Sequence, residues 1–164
     1  MNRQQIAVKL TLDKLGLDCG MSSFEDRLIL QKAIYLCQVA GVNLGYYYQW
    51  YLYGPYSPSL TRDAYAVAET VAKGMDDSTG WKLDSSSTQR LEKIEALIPK
   101  DEKATIKRQL ELLASVHFLV NRQQISGKNA KEITETLSRF NKDFREEEVE
   151  TALETLNCNG LLAA

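Results

Sequence analysis

Between residues 24 and 40 the chain reads FEDRLILQKAIYLCQVA. Wound as a helix at about 100° per residue, it is apolar almost all round, through Leu28, Ile29, Leu30, Ala33, Ile34, Leu36, Cys37 and Val39. Only Arg27, Gln31 and Gln38 gather into a narrow polar stripe. A helix of this kind belongs in the middle of a structure, with other elements on every side. Polar groups carried into that position need partners, and the nearest candidates are the tyrosine hydroxyls and the free carbonyls of a turn at Gly54–Pro58. Two readings stay open: a satisfied network that locks this turn, or a stripe facing a cleft that reads a ligand or a partner's backbone. Lys32 lies about a quarter-turn from the stripe and is expected to be solvated.

Outward from this helix, the neighbouring elements are mostly helical too. Ser22-Ser23-Phe24-Glu25 is expected to cap the start of the central helix, with Glu25 reaching back, and Gly41 to end it. A first amphipathic helix spans about 3–16, and a third runs over 58–73 behind a Ser57 N-cap and Pro58. Trp81-Lys82-Leu83 is expected to be a short strand and Asp84 to Ser87 a polar linker. A short helix around Leu91, Ile94 and Leu97 follows, and a second central helix covers about 101–120. Two C-terminal helices, opened by Asn129…Glu132 and Asp143…Glu146, resemble a helix-turn-helix or winged-helix pair, with Leu161-Leu162 left to dock. The expected fold is mostly α (α+β): one compact multi-helix domain over 1–164, built around the buried central helix, with a small aromatic β element.

That β element is the second anomaly. All eight tyrosines fall between positions 35 and 65, and seven of the eleven residues 46–56 are Tyr or Trp. A strand over 46–53 alternates Tyr46, Tyr48, Trp50 and Leu52 on one face with Tyr47, Gln49, Tyr51 and Tyr53 on the other. Both faces are aromatic, so both are expected to contact something: two covering helices, or a binding surface, for which Tyr and Trp are suited.

Composition narrows the function. The 164 residues carry 20 Lys+Arg against 22 Asp+Glu, a formal charge of −2. That is ordinary globular composition, without a basic field for nucleic acid. The N-terminus lacks an uninterrupted apolar run, and no stretch is apolar enough to span a membrane, so a cytoplasmic location is expected. Three separated cysteines (Cys19, Cys37, Cys158) fit reduced thiols. With one histidine and no CxxC, neither a zinc site nor any cofactor is expected.

The same chemistry disfavours catalysis. His117 falls on an apolar helical face beside Ile106, Leu110 and Leu113 and reads as a core residue, which removes the usual base of a triad. GxxxxGK[ST], GxGxxG and HExxH are absent from the sequence. The last helix turns Glu147, Glu148, Glu150 and Glu154 outward, the wrong charge for phosphates. A DNA contact would have to come from Arg27, Lys32 or Arg62.

The motifs Arg27-x-x-Leu30-Gln31-Lys32-x-x-Tyr35-Leu36 and Tyr53-Gly54-Pro55-Tyr56-Ser57-x-x-Leu60 resemble those of YwgA-like bacterial and archaeal proteins. The wider relatives of that family are the Panacea domain and SocA-type antitoxins. The similarity continues through Leu112–Val116 and Phe144-x-x-Glu147-Glu148-Val149-Glu150-x-Ala152-Leu153-x-x-Leu156 to Gly160-Leu161. The sequence Gly-Pro-Tyr-Ser, in place of the Gly-Pro-Val of the antitoxin branch, sets the chain nearer YwgA. The resemblance implies a protein-binding antitoxin or adaptor of a toxin–antitoxin or phage-defence locus, and it carries over no catalytic residue. The residues it and the aromatic cluster nominate for a partner or ligand are Arg27, Gln31, Lys32, Tyr35, Trp50, Tyr53, Gly54, Pro55, Tyr56, Ser57 and Arg62. A nucleotide-like small molecule or an enzymatic reaction at the Arg27/Gln31/tyrosine cluster, and a DNA-binding regulator, stand as alternatives. A homo-oligomer is left open.

Overall fold

Polar side chains at the helix starts define most of the architecture. Asn2 and Gln5 cap each other's backbone at the head of α1 (Arg3–Lys14), and Ser23 and Asp26 do the same for α2 (Phe24–Val39). Ser57 and Pro58 open α3 (Pro58–Ala72), and Asp84 opens α4 (Ser85–Glu95). The long α5 (Lys103–Arg122) follows, then α6 (Ala130–Arg139) behind Asn129 and α7 (Glu146–Cys158) behind Arg145. The structure, a computed structural model, describes residues 1–122, 125–126 and 129–163. It is mostly helical with one small sheet, the expected class. No helix among the described residues is long and apolar enough to cross a membrane.

The central helix is central. Ten successive residues of α2, Leu28 to Cys37, are buried. Its most extensive neighbour is α5, whose Leu112–Leu119 run is also buried; α5 in turn carries α7. The α6–α7 pair packs together, α1 touches α2, α3 and α4, and Leu161 docks into the core.

Several local expectations are corrected. The strand read over 46–53 is shorter: β1 (Gln49–Tyr51) pairs antiparallel with β2 (Gly54–Tyr56), Gln49 facing Tyr56, Trp50 facing Pro55 and Tyr51 facing Gly54. Gly54–Tyr56, expected as turn, is therefore strand, and Leu52-Tyr53 makes the turn. The cause lies in α2. Gln38 Oε1 accepts from the Tyr46 amide (2.8 Å) and Gln38 Nε2 donates to the Tyr46 carbonyl (2.9 Å), so a side chain replaces the neighbouring strand there. At the head of α2 the cap is Ser23 with Asp26, rather than Ser22 with Glu25.

Residues 81–83 form no strand, and the stretch read as linker is the first turn of α4. The last helix starts later than Asp143 because Phe144 is drawn into the core. Glu148 then takes the Arg145 amide at 2.8 Å.

Lys32 departs most from expectation. It is 2% exposed, because α2 has no solvated side along this length.

Candidate functional site

Phe24, Arg27, Leu28 and Gln31 stand at i, i+3, i+4 and i+7 of α2, which puts them on one face. Lys32, four residues beyond Leu28, continues it. This face forms one wall of a cleft of ≈ 350 Å³. The hairpin supplies Tyr51, Tyr53, Gly54 and Tyr56 opposite, and α3 closes the end with Thr61 and Tyr65. Tyr53 meets Phe24 edge to face at 4.9 Å, and Tyr51 leans on Tyr56 at 5.4 Å.

The floor is fixed by polar groups that leave α2 to hold the hairpin. Gln31 Oε1 accepts from the Ser57 amide (3.0 Å) and its Nε2 donates to the Ser57 carbonyl (2.9 Å) and to Thr61 Oγ1 (2.8 Å). Lys32 Nζ donates to the Pro55 carbonyl at 2.7 Å. Burial pushes the Lys32 ammonium down to about 7; the Lys142 charge acts the same way and Glu111 opposes them. A neutral amine still donates to Pro55, so the contact survives loss of the proton. Lys142 itself is buried against Glu111 at 2.5 Å and lies 5.6 Å from the Tyr53 ring centre.

Gly54 is required where it stands. Its φ is +91°, and a Cβ there would sit 2.5 Å from Ser115 Oγ, so hairpin and α5 meet with no room for a side chain. Ser115 Oγ is buried without a hydrogen-bond partner among the described residues.

Of the residues nominated from sequence, Arg27, Gln31, Lys32, Tyr53, Gly54 and Tyr56 come together in the cleft. Pro55 and Ser57 act behind it through their backbones. Trp50 lies away from it, packed between Phe118 (5.7 Å) and Phe140 (5.0 Å). Arg62 is exposed on α3 and does not line it. Tyr35 lines a separate cavity, where its hydroxyl bonds His117 Nδ1 at 2.7 Å. His117 is a buried core residue, as its helical position implied, and burial pushes it down to about 4.

Sequence reasoning missed Phe24, Leu28, Tyr51, Thr61 and Tyr65. The first two share the helical face of Arg27 and Gln31, and Tyr65 stands one turn after Thr61, so the spacing held the signal.

The alternation of the aromatic segment settles how its side chains divide. Tyr46 and Tyr48 are buried and Trp50 is partly so, whereas Tyr47 (65% exposed) and Tyr51 (58%) face out. The outward face is uncovered, contrary to the reading in which helices cover both. Leu52, expected on the inner face, is 67% exposed because it sits in the turn. Among the described residues, no group of His, Cys, Asp and Glu is arranged to hold a metal ion. Searches against models of protein families, curated proteins and solved structures return no match to this chain.

Proposed function

We propose that the chain is a non-enzymatic protein-binding module of the antitoxin or adaptor kind, which neutralises or presents a partner protein of a toxin–antitoxin or phage-defence locus. One observation carries the reading: Phe24, Tyr51, Leu52, Tyr53 and Tyr65 stay exposed around the hairpin and its cleft. Large apolar groups gathered this way are costly to leave in water, and they mark interaction surfaces on soluble domains. The hairpin beneath them is held rigidly, through Gln31, Gln38 and Lys32, so a partner meets a preorganised surface. The kind of partner follows from the sequence resemblance.

The DNA alternative draws less support, since the exposed face of α7 carries Glu147, Glu150 and Glu154. The small-molecule alternative rests on the cleft volume, which falls in the range of ligand pockets.

The test is affinity purification of the tagged chain from its native host, beside the Tyr51→Ala/Tyr53→Ala variant. A stoichiometric protein, toxic when expressed alone and lost at least tenfold with the variant, supports the reading. The variant must keep the native circular-dichroism spectrum. A chain that elutes without a protein partner, or whose partner is indifferent to the double substitution, refutes it.

A further inference from the structure

The cleft between α2, the hairpin and α3 has a definite polarity. Its charged lining residues are Arg27 and Lys32, with no carboxylate among them, in a chain whose net charge is negative. The nearest acid in sequence, Asp26, is turned to Lys103 at 2.6 Å. Glu111, the acid nearest Lys32 in effect, is bound to Lys142.

The side-chain oxygens of Gln31 and Thr61 are already engaged. Gln31 Oε1 holds the Ser57 amide, and Thr61 Oγ1 takes Gln31 Nε2. The groups left over are tyrosine hydroxyls and the Arg27 guanidinium, which can only donate. Arg27 spends one N–H on the Met21 carbonyl at 3.2 Å and has no carboxylate partner among the described residues, which leaves most of its five N–H groups unspent. Tyr56 accepts from Thr61 Oγ1 at 3.0 Å, which leaves its own proton to give. Around these donors the walls are aromatic, from Phe24, Tyr51, Tyr53 and Tyr65.

An apolar cleft with an unpaired guanidinium, a second basic group behind it and no carboxylate is complementary to a flat apolar group beside an anion. We infer that this cleft is the receptor for a partner-protein segment in which an aromatic side chain lies next to a carboxylate. The aromatic ring packs in the cleft against the Phe24–Tyr53 pair, and the carboxylate meets Arg27 and the Tyr56 hydroxyl. A charge-assisted bond to a guanidinium at the rim of an apolar cleft gives direction and register to a contact whose area comes from the rings. This inference rests on the protein-binding reading and names the chemistry of what is bound.

The test uses three synthetic, fluorescein-labelled heptapeptides with a central tryptophan flanked by two aspartates, two asparagines or two lysines. Each is titrated with the full chain and followed by fluorescence polarisation. The aspartate peptide is expected to bind at least tenfold more tightly than the asparagine peptide, and the lysine peptide most weakly. Arg27→Gln, a side chain at the rim whose removal leaves the core intact, should abolish the aspartate preference. Tyr53→Ala should weaken the aspartate and asparagine peptides alike.

Equal affinity for the three peptides, or an aspartate preference that persists in Arg27→Gln, overturns the inference. So does binding of free indole-3-acetate as tight as that of the peptide, which makes the cleft a metabolite site. A purified partner that needs Tyr51 and Tyr53 while the peptides show no preference leaves the protein-binding reading standing and removes only this one. Peptides that obey the order while no toxic partner is found do the reverse.

Discussion

Removing the buried amine of Lys32 tests the organisation of the site most directly. The side chain is 2% exposed, and its ammonium is pushed from 10.5 to about 7, by burial first and by Lys142 second. Because the folded value lies below the unfolded one, the unfolded chain holds a proton between pH 7 and 10.5 that the folded chain lacks. Stability therefore rises with pH across that window and is lowest below it. The whole difference corresponds to at most ~5 kcal/mol, of which roughly a third is recovered between pH 7 and 8.5. Lys142 is lowered as well, so its contribution has the same sign.

Lys32→Met keeps the length of the chain and removes the charge, but leaves the Pro55 carbonyl without its donor, at a cost of about 1–3 kcal/mol. At pH 7 the gain exceeds that loss, so the variant is expected to be the more stable by ~1–3 kcal/mol. That advantage should shrink as the pH rises. The assay is urea denaturation followed at 222 nm, on wild type and variant, at pH 7, 7.75 and 8.5. Two parallel stability–pH profiles would refute the reasoning, since Lys32 would then be titrating alike in both states.

Other perturbations address single contacts. Gly54→Ala combines a left-handed φ, costing about 1–2 kcal/mol, with the clash on Ser115, for at least ~2 kcal/mol in total by denaturant unfolding. Adding Ser115→Ala should recover the steric part only, and full recovery would show that the backbone is unstrained. His117, pushed to about 4 by burial, lies below its ordinary 6.5, so the unfolded chain binds the extra proton between those values. Stability should fall by up to ~3 kcal/mol as the pH drops through that window, and His117→Gln should flatten the profile. Asp26, held down to about 2, loses its contribution only below its ordinary 3.8, outside the range that tests His117. Glu111→Met leaves the buried Lys142 ammonium without its partner and should cost about 3–5 kcal/mol, whereas Glu111→Met with Lys142→Met should cost far less. A simple sum of the two single effects in that cycle would show that the pair does not interact.

Legibility in the sequence followed the length scale of each signal. The helices announced themselves because periodicity repeats over many residues, and α2 was placed at the centre from its own pattern. Caps were read one or two residues early where serines or acids adjoin, as at Ser22-Ser23, because neighbouring acceptors compete and packing chooses among them. The cleft was half legible. Arg27, Gln31 and the Tyr53–Tyr56 segment stood out by composition, but Tyr65 and Phe24 are ordinary helix residues until the hairpin is laid beside them. Lys32 was misplaced because a lysine is normally solvated, and its burial depends on the carbonyl of Pro55, a partner that helical geometry does not reveal.

The two glutamines of α2 explain how one segment serves both core and surface. Gln31 and Gln38 are seven residues apart, about 10.5 Å along the helix axis, and each holds both backbone groups of one residue, Ser57 and Tyr46. Fully extended, the chain from Tyr46 to Ser57 would span about 36 Å. It reaches both clamps only by doubling back, and the β1–β2 hairpin is how it does so. With Tyr46 pinned, the two-residue period fixes Tyr46 and Tyr48 inward and Tyr47 and Tyr51 outward. A slip of one residue would exchange the two sets. The exposed rings at the cleft are thus set by the clamps that seat the buried ones, and a partner docking there would be reading a surface whose register is fixed from the centre of the fold.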